Sequence, residues 1–285
     1  MEFLQYDFMQ RALLAGIITA IICPVIGSFV VVRRQSLIGD GLGHIAFAGV
    51  TGGYMLGIYP VAGAFVLTMI GAVGIELVRR RHPQFADMGL AIFFYTGISM
   101  AIIFSTITRM PSAGLLSFLF GSIITVSVMD ITIIAGCGLV VLAIVYLFFD
   151  KLMLIALDED IANVAGINTS MINMLFSILT AVVVVVGMTV VGVLLVSALM
   201  IVPVATAHLL RVGFKATMVW AVTFSVLAVL IGLTSSFYLD IAPGGTIVMT
   251  AVLLYITTAL VRGLISIKSK WRLSPFSLVG NQKNN

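Results

Sequence analysis

Asp40 and His44 are the two residues whose types and spacing most clearly permit chemistry. They lie four residues apart in the segment 36–44, SLIGDGLGH. An i, i+4 spacing puts both side chains on one face of a helix. A carboxylate oxygen and an imidazole nitrogen are ligands that suit zinc, manganese or iron(II). We therefore interpret the pair as a candidate metal site. The alternative is a histidine that only hydrogen-bonds between packed helices.

Other ionisable residues within apolar segments have simpler interpretations. Asp240 precedes an apolar segment that starts near Pro243. It is either a solvated helix cap or an acid at an outer gate, and we keep it as a tentative third metal ligand. Glu76 is expected to snorkel or to pair with Arg80, one turn later. Asp130 is expected to stand at the start of a helix.

A polar loop within residues 150–168 has the pattern of a short helix. Asp158 suits the N-cap position, and acids in the next two positions are favoured by the helix dipole. Gly166 suits the left-handed residue that follows a helix end. The loop is either an ordinary interfacial helix or a docking helix for a cytoplasmic partner. The residues expected to take part in docking are Asp158, Glu159, Ile161, Val164, Ala165 and Gly166.

The composition excludes a soluble domain. Hydrophobic residues make up 61% of the chain and charged residues only 9%, with a mean hydropathy of +1.23. Soluble domains carry about 25% charged residues. The prediction is an all-α polytopic membrane protein, with one transmembrane domain over residues 1–268 and a polar cytoplasmic tail over 269–285. A net charge of +4 calls for no nucleic-acid partner, because the basic residues lie at helix ends.

Apolar segments long enough to cross a bilayer, about 20 residues each, predict about nine transmembrane helices, with eight or ten as alternatives. The segments are approximately 10–32, 42–58, 60–78, 88–108, 130–149, 170–188, 190–210, 216–236 and 243–263. A turn near Gly187 is expected to separate the sixth and seventh. Residues 111–128 are expected to form a helical or re-entrant piece at the outer surface.

The distribution of Lys and Arg predicts the orientation in the membrane. With the N-terminus outside and the C-terminus inside, thirteen of the fifteen basic residues lie on the cytoplasmic side, and only Arg11 and Arg109 lie outside. His44 is ten residues past Arg34. A continuous helix would therefore place it about 15 Å deep, near the middle of the bilayer.

Three segments together resemble the permeases of bacterial zinc/manganese ABC importers. They are Arg33–Gly49, Leu116–Ser122 and Gly192–Ala207. The resemblance runs along nearly the whole chain. The sequence of the segment His44–Gly49 is more similar to the zinc branch of the family than to the manganese branch. It implies a fold similar to that of cobalamin and siderophore importer permeases.

The resemblance also implies partners and roles. The permease would be a homodimer with a central pathway, joined by two cytoplasmic ATP-binding subunits and an extracellular metal-binding protein. The segment 158–166 would be the coupling helix. Asp40 and His44 match the metal-site residues of the family. Asp240 matches an acid before the last helix, whereas Gly244 stands where some relatives carry a histidine.

The predicted function is the membrane permease of an ATP-driven importer in the bacterial plasma membrane, carrying zinc into the cytoplasm. No cofactor is expected to be bound permanently; zinc or manganese is the transported ion. The chain has no Gly-Lys pair and so no phosphate-binding loop. ATP hydrolysis is therefore expected on a separate subunit, and the chain itself is not an enzyme.

The alternatives are a manganese or iron(II) permease of the same family and, less favoured, a secondary metal transporter. In a secondary transporter, the glycine-rich region around Asp40 would be a broken helix. A membrane enzyme is a further alternative, but it would need more polar groups at one depth than Asp40 and His44.

Overall fold

The computed structural model describes residues 5–121 and 126–273; for residues 112–113 and 265–273 it describes the backbone only. The described residues form helices joined by short turns, with no strand among them. The helices are α1 Asp7–Val32, α2 Ile38–Met55, α3 Pro60–Arg81, α4 Ala86–Thr108, α5 Ser112–Phe120, α6 Val128–Leu147, α7 Phe149–Leu157, α8 Glu159–Val164, α9 Thr169–Val191, α10 Val196–His208, α11 Phe214–Leu239 and α12 Pro243–Leu273.

Each of the nine predicted transmembrane segments corresponds to a helix. Seven helices in the described part of the chain are long and apolar enough to cross a membrane: α1, α3, α4, α6, α9, α11 and α12. The other two segments correspond to α2, of 18 residues, and to α10, of 13 residues. Glycines together with Asp40 and His44 lower the hydropathy of α2. This explains why α2 is not among the seven helices that length and composition identify as membrane-spanning.

The structure corrects several predicted boundaries. Helix α9 continues through Gly187 to Val191, so the predicted turn near Gly187 is wrong. The break falls at Gly192, whose φ of +92° disfavours any residue with a side chain. Helix α2 begins at Ile38 rather than near residue 42, and it is unbroken through its glycines. Helix α12 continues to Leu273, beyond the predicted end of the last segment near residue 263.

Helices α1 and α9 form the centre of the bundle. In each, 72% of the most apolar window is buried within the chain, against 11% in α4 and α12. The apolar outer faces of α4 and α12 are therefore available to lipid or to another protein. Helix α2 packs against α3, α4, α9 and α10, so the candidate metal residues lie on an element held from several sides.

A glycine-lined junction joins the ends of α5 and α9 to the start of α12. The amides of Val193 and Leu194 donate to carbonyls at the end of α5, at 2.9 and 3.2 Å. A Cβ atom at Gly244 would lie 2.0 Å from the Val191 carbonyl oxygen, so a histidine has no room there. Helix α5 confirms the helical piece predicted within 111–128, of which residues 122–125 lie outside the described part of the chain.

Candidate metal site

Asp40 and His44 lie on one face of α2, as their spacing predicts. Because α2 is helical from Ile38 onward, the i, i+4 relation is realised in the structure. Both side chains are half-buried. The imidazole of His44 contacts the ring of Phe94 on α4 edge-on, with 4.6 Å between ring centroids. This contact limits the orientations that the imidazole can adopt.

Close helix packing fixes the position of this face. A Cβ atom at Gly97 on α4 would lie 2.7 Å from the Ile45 amide nitrogen and 3.0 Å from the His44 carbonyl oxygen. Glycine therefore lets the α4 backbone approach α2 beside His44, as small residues do between membrane helices. On the other side, Ser197 of α10 packs against α2 next to Asp40: its hydroxyl oxygen would lie 2.9 Å from a Cβ atom at Gly39.

Asp40 opens onto a groove of about 290 Å³ between the starts of α2 and α4. The groove is lined by Leu37, Asp40, Asp87, Leu90, Ala91, Phe94 and Tyr95. Asp87 contributes a second carboxylate, and the sequence analysis missed it, as it missed Ser197 and Phe94. An acid in the first turn of a helix is the ordinary response to the helix dipole. Its residue type and position therefore carry no sign of a further role.

The pair lies closer to the predicted cytoplasmic end than the sequence indicated. Residues 34–37 form a turn, and helical rise begins at Ile38. His44 is six positions after Ile38, a rise of about 9 Å at 1.5 Å per residue. The predicted depth of about 15 Å treated the turn as helix; in the structure His44 lies about one third of the way along α2.

Asp240 does not join the pair within one chain. It is solvent-exposed and ends α11 in a left-handed conformation, with φ of +52°. Among the described residues, no three or more His, Cys, Asp or Glu side chains lie close enough together to hold a metal ion. Within the described part of one chain, the candidate ligands are therefore Asp40 and His44.

Comparison with known proteins identifies the family. The model of the ABC 3 transport family matches residues 5–262, which is nearly the whole described chain. The chain belongs to the ABC 3 transport family. It is a multi-pass membrane permease, as the resemblance in its sequence predicted.

Relatives in the ABC 3 family are named for two different metals. The manganese transport system membrane protein MntC of Halalkalibacterium halodurans is 34% identical over 254 residues, covering 89% of this chain and 87% of the relative. The high-affinity zinc uptake system membrane protein ZnuB of Haemophilus influenzae is 29% identical over 251 residues, covering 88% and 96%. These names support metal transport and give no preference for zinc.

A solved structure of the PsaBC complex from Streptococcus pneumoniae with an Fab has the same fold. Its matching chain superposes with a TM-score of 0.81 at 29% identity, covering 90% of this chain and 94% of that one. The similarity confirms the predicted all-helical ABC permease fold.

The predicted docking segment of this ABC 3 permease has the expected local structure. The Asp158 carboxylate accepts hydrogen bonds from the Asp160 and Ile161 amides, each at 3.0 Å, and so caps α8. Gly166 follows the helix with φ of +79°. On the outer surface of α8, Ile161 is 57% exposed and Val164 is 90% exposed. Apolar side chains this exposed are available to a partner.

Two ionisable residues outside the site have structural partners. Glu76 is buried and pairs with Arg79, at 2.9 Å, so the predicted pairing with Arg80 is wrong. The i+3 neighbour lies as close on a helix as the i+4 neighbour, and here its guanidinium makes two hydrogen bonds to the carboxylate. Asp130 stands in the first turn of α6 and forms a capping box with Ser127, as predicted.

Proposed function

We propose that this chain is the permease subunit of an ATP-driven importer that carries a divalent transition metal, zinc or manganese, into the cytoplasm. The observation that carries the proposal is the pairing of Asp40 and His44 on one half-buried face of α2, beside an open groove. Ionisable side chains within membrane helices are costly and usually serve a function. A carboxylate and an imidazole suit either ion.

The proposal includes both zinc and manganese. Only the sequence of the segment His44–Gly49 favours zinc, whereas relatives are named for manganese and for zinc. The unbroken helix α2 removes the feature that favoured a secondary transporter. Membership of the ABC 3 family supports an ATP-driven mechanism over that alternative.

A second copy of the chain would complete the site. Zinc in proteins takes about four ligands, and one chain offers two. A two-fold axis beside α2 would bring Asp40 and His44 of both copies together, because symmetric dimers use the same surface on each subunit. The half-buried state of the pair supports this, since its exposed side remains available to the second copy.

Helix α8 would dock against the cytoplasmic ATP-binding subunits. It presents the apolar side chains of Ile161 and Val164 on the side where the charge distribution predicts the cytoplasm. Its capping by Asp158 makes it a short, rigid element suited to passing on a movement. An extracellular metal-binding protein would deliver the ion on the opposite side, a role that rests on the family resemblance.

Uptake by the reconstituted importer tests the proposal. The permease and its ATP-binding partner are placed in vesicles, and uptake of radiolabelled zinc and manganese is measured separately. Asp40→Asn and His44→Ala should each reduce uptake of the transported ion about 100-fold, since even substitutions behind a metal ligand cost about 10–100-fold in affinity.

Matched controls are Asp7→Asn and His208→Ala, which change the same residue types at exposed helix ends. They should transport like the wild type. Normal uptake of both metals by the Asp40 and His44 variants would refute the site, and uptake without ATP would refute the ATP-driven mechanism.

A further inference from the structure

A polar cluster at the predicted cytoplasmic end joins four elements of the fold. It links the turn after α1 with α3, α8 and α9 through hydrogen bonds between side chains. Its members are Arg33, Glu76, Arg79, Glu159, Asn173 and Ser177. We call these six residues the inner polar cluster. None of the six belongs to the candidate metal site.

One branch of the inner polar cluster runs from α8 to the end of α1. The Asn173 side-chain amide donates to Glu159 Oε1 at 2.7 Å. Nη1 of Arg33 in turn donates to Asn173 Oδ1 at 3.0 Å. The Arg33 guanidinium also lies over the ring of Phe176, 4.3 Å from its centroid. Asn173 therefore bridges the docking helix and Arg33 directly.

The other branch balances the charge. The buried carboxylate of Glu76 accepts two hydrogen bonds from Arg79 and one from Ser177, at 2.9 to 3.1 Å. Burial, with the nearby Arg79, lowers the pKa of Arg33 to about 10, while Glu159 and Glu76 act in the opposite direction. Arg33 stays protonated at neutral pH, so two guanidinium groups face two carboxylates.

Arg33 lies at the junction between α1 and the metal-site helix. The Gln35 amide donates to the Val30 carbonyl and the Arg34 amide to the Val31 carbonyl, the Schellman pattern that closes a helix end. Arg34 takes the left-handed position with φ of +57°. The turn 33–37 is therefore held by backbone hydrogen bonds. It leads directly into the first turn of α2, which carries Asp40.

The inner polar cluster also has the means to change its arrangement. Nε and Nη2 of Arg33 are buried and have no hydrogen-bond partner among the described residues. Buried donors without partners carry a free-energy cost, so an arrangement that satisfies them is favoured when it becomes reachable. A cavity of about 200 Å³ next to Arg33, Arg79 and Glu159 gives these side chains room to move.

We propose that Arg33, Asn173 and Glu159 are positioning residues that connect the docking helix α8 to the metal-site helix α2. A movement of α8 shifts Glu159, Asn173 follows, and Arg33 carries the shift through the turn 33–37 to Asp40. Stabilisation alone explains the cluster poorly, because buried charged groups are seldom more stabilising than apolar residues of the same size. The inference rests on the proposed function, since it requires both an ATP-binding partner at α8 and a metal at Asp40.

The test compares two asparagines of the same region, one inside the proposed connection and one outside it. Asn173→Ala breaks the link to Arg33. Asn168→Ala, the matched control, lies outside the docking segment 158–166; it removes the 3.1 Å hydrogen bond from the Met171 amide at the start of α9 and leaves Arg33 untouched. Metal uptake and ATP hydrolysis are measured together in vesicles, using the metal that the wild type transports. We expect Asn173→Ala to lower the metal carried per ATP about tenfold without changing the KM for the metal, and Asn168→Ala to match the wild type.

Two further variants keep the test decisive. Glu159→Ala changes an exposed residue, so this variant folds even if Asn173→Ala does not. It should also lower the amount of metal carried per ATP hydrolysed. Arg33→Gln combined with Asn173→Ala should be no worse than Arg33→Gln alone, because residues that act as a unit are not additive. A wild-type amount of metal carried per ATP in both Asn173→Ala and Glu159→Ala, or an equal loss in Asn168→Ala, would overturn the proposed connection. The absence of any metal uptake by the wild type would instead refute the proposed function.

Discussion

At the scale of single residues, the site depends on a glycine that carries no functional group. Gly97 lets the backbone of α4 approach α2 within contact distance of the His44 carbonyl. The same approach brings the ring of Phe94 against the imidazole. The orientation of His44, the candidate ligand, is thus set by a neighbouring helix, which is a usual requirement for a preorganised site.

A Cβ atom added at this glycine should disturb the metal site. In Gly97→Ala, the new methyl group would lie 2.7 Å from the Ile45 amide nitrogen, so α4 must move away from α2. Overpacking of this kind costs about 1–3 kcal/mol. We expect a lower thermal stability and a weaker apparent metal affinity in uptake.

Gly136→Ala on α6 is the control for this substitution, because open space surrounds that position. Its stability should be unchanged or higher, since alanine favours helix by up to about 1 kcal/mol over glycine. Equal metal affinity in the two glycine variants would contradict the role given to Gly97.

The sequence predicted that Asp40 and His44 share one face of a helix, but it did not predict what surrounds them. Asp40 and His44 are recognisable because the i, i+4 spacing is a local property of a helix. Phe94 of α4 contacts His44, and Ser197 of α10 packs against Gly39 beside Asp40; such contacts depend on how helices pack. Asp240 was kept as a ligand from its residue type and family match, but within one chain its position at the end of α11 separates it from the pair.

At the scale of elements, α8 is the clearest case of local sequence determining local structure. Its N-cap, its acidic first turn and its terminal glycine were all predicted and are all present. These features follow from hydrogen bonding within a few residues. The contact of α8 with Asn173 joins residues 14 positions apart, and no local pattern indicates it.

A charge on the docking face of α8 should disconnect ATP hydrolysis from transport. Ala165 is exposed at the C-terminal end of the helix, beside Ile161 and Val164. In Ala165→Arg the helix still forms, because arginine is a good helix former and a cation is favourable at this end. When α8 docks, the arginine side chain would clash with the ATP-binding subunit, and its positive charge would be buried in the interface.

We expect metal-stimulated ATP hydrolysis to fall in the reconstituted complex of Ala165→Arg, while metal binding at Asp40 and His44 persists. Ala165→Ser, which is small and uncharged, should behave as the wild type. If the arginine variant hydrolyses ATP and transports at the wild-type rate, α8 is only an interfacial helix.

Helix ends in the apolar bundle were harder to predict than helices. The turn between α9 and α10 was placed at Gly187, which is instead helical and buried against Val196. Gly187 and Gly192 have similar sequence surroundings, since each follows two or more valines. Only the packing around Gly192, against the carbonyl of Leu119, selects the second as the break.

At the scale of the whole molecule, the bundle has two buried helices at its centre and apolar helices around them. All nine predicted segments are helical, because an apolar backbone in a bilayer must satisfy its own hydrogen bonds. The order of packing in space was not predictable, since lipid-facing and protein-facing positions are equally apolar. The predicted direction, with the N-terminus outside, follows from the basic residues alone.

The most direct test of the shared metal site uses dimers of mixed composition. Wild-type and His44→Ala copies carrying different affinity tags are co-expressed, and complexes that contain one of each are isolated by two successive purifications. If the two copies form one site, a single substituted copy removes one of about four ligands. Uptake by the mixed dimer should then fall nearly as far as uptake by the fully substituted dimer. Half of the wild-type uptake, with an unchanged KM for the metal, would instead mean that each copy transports alone, and it would contradict the shared site.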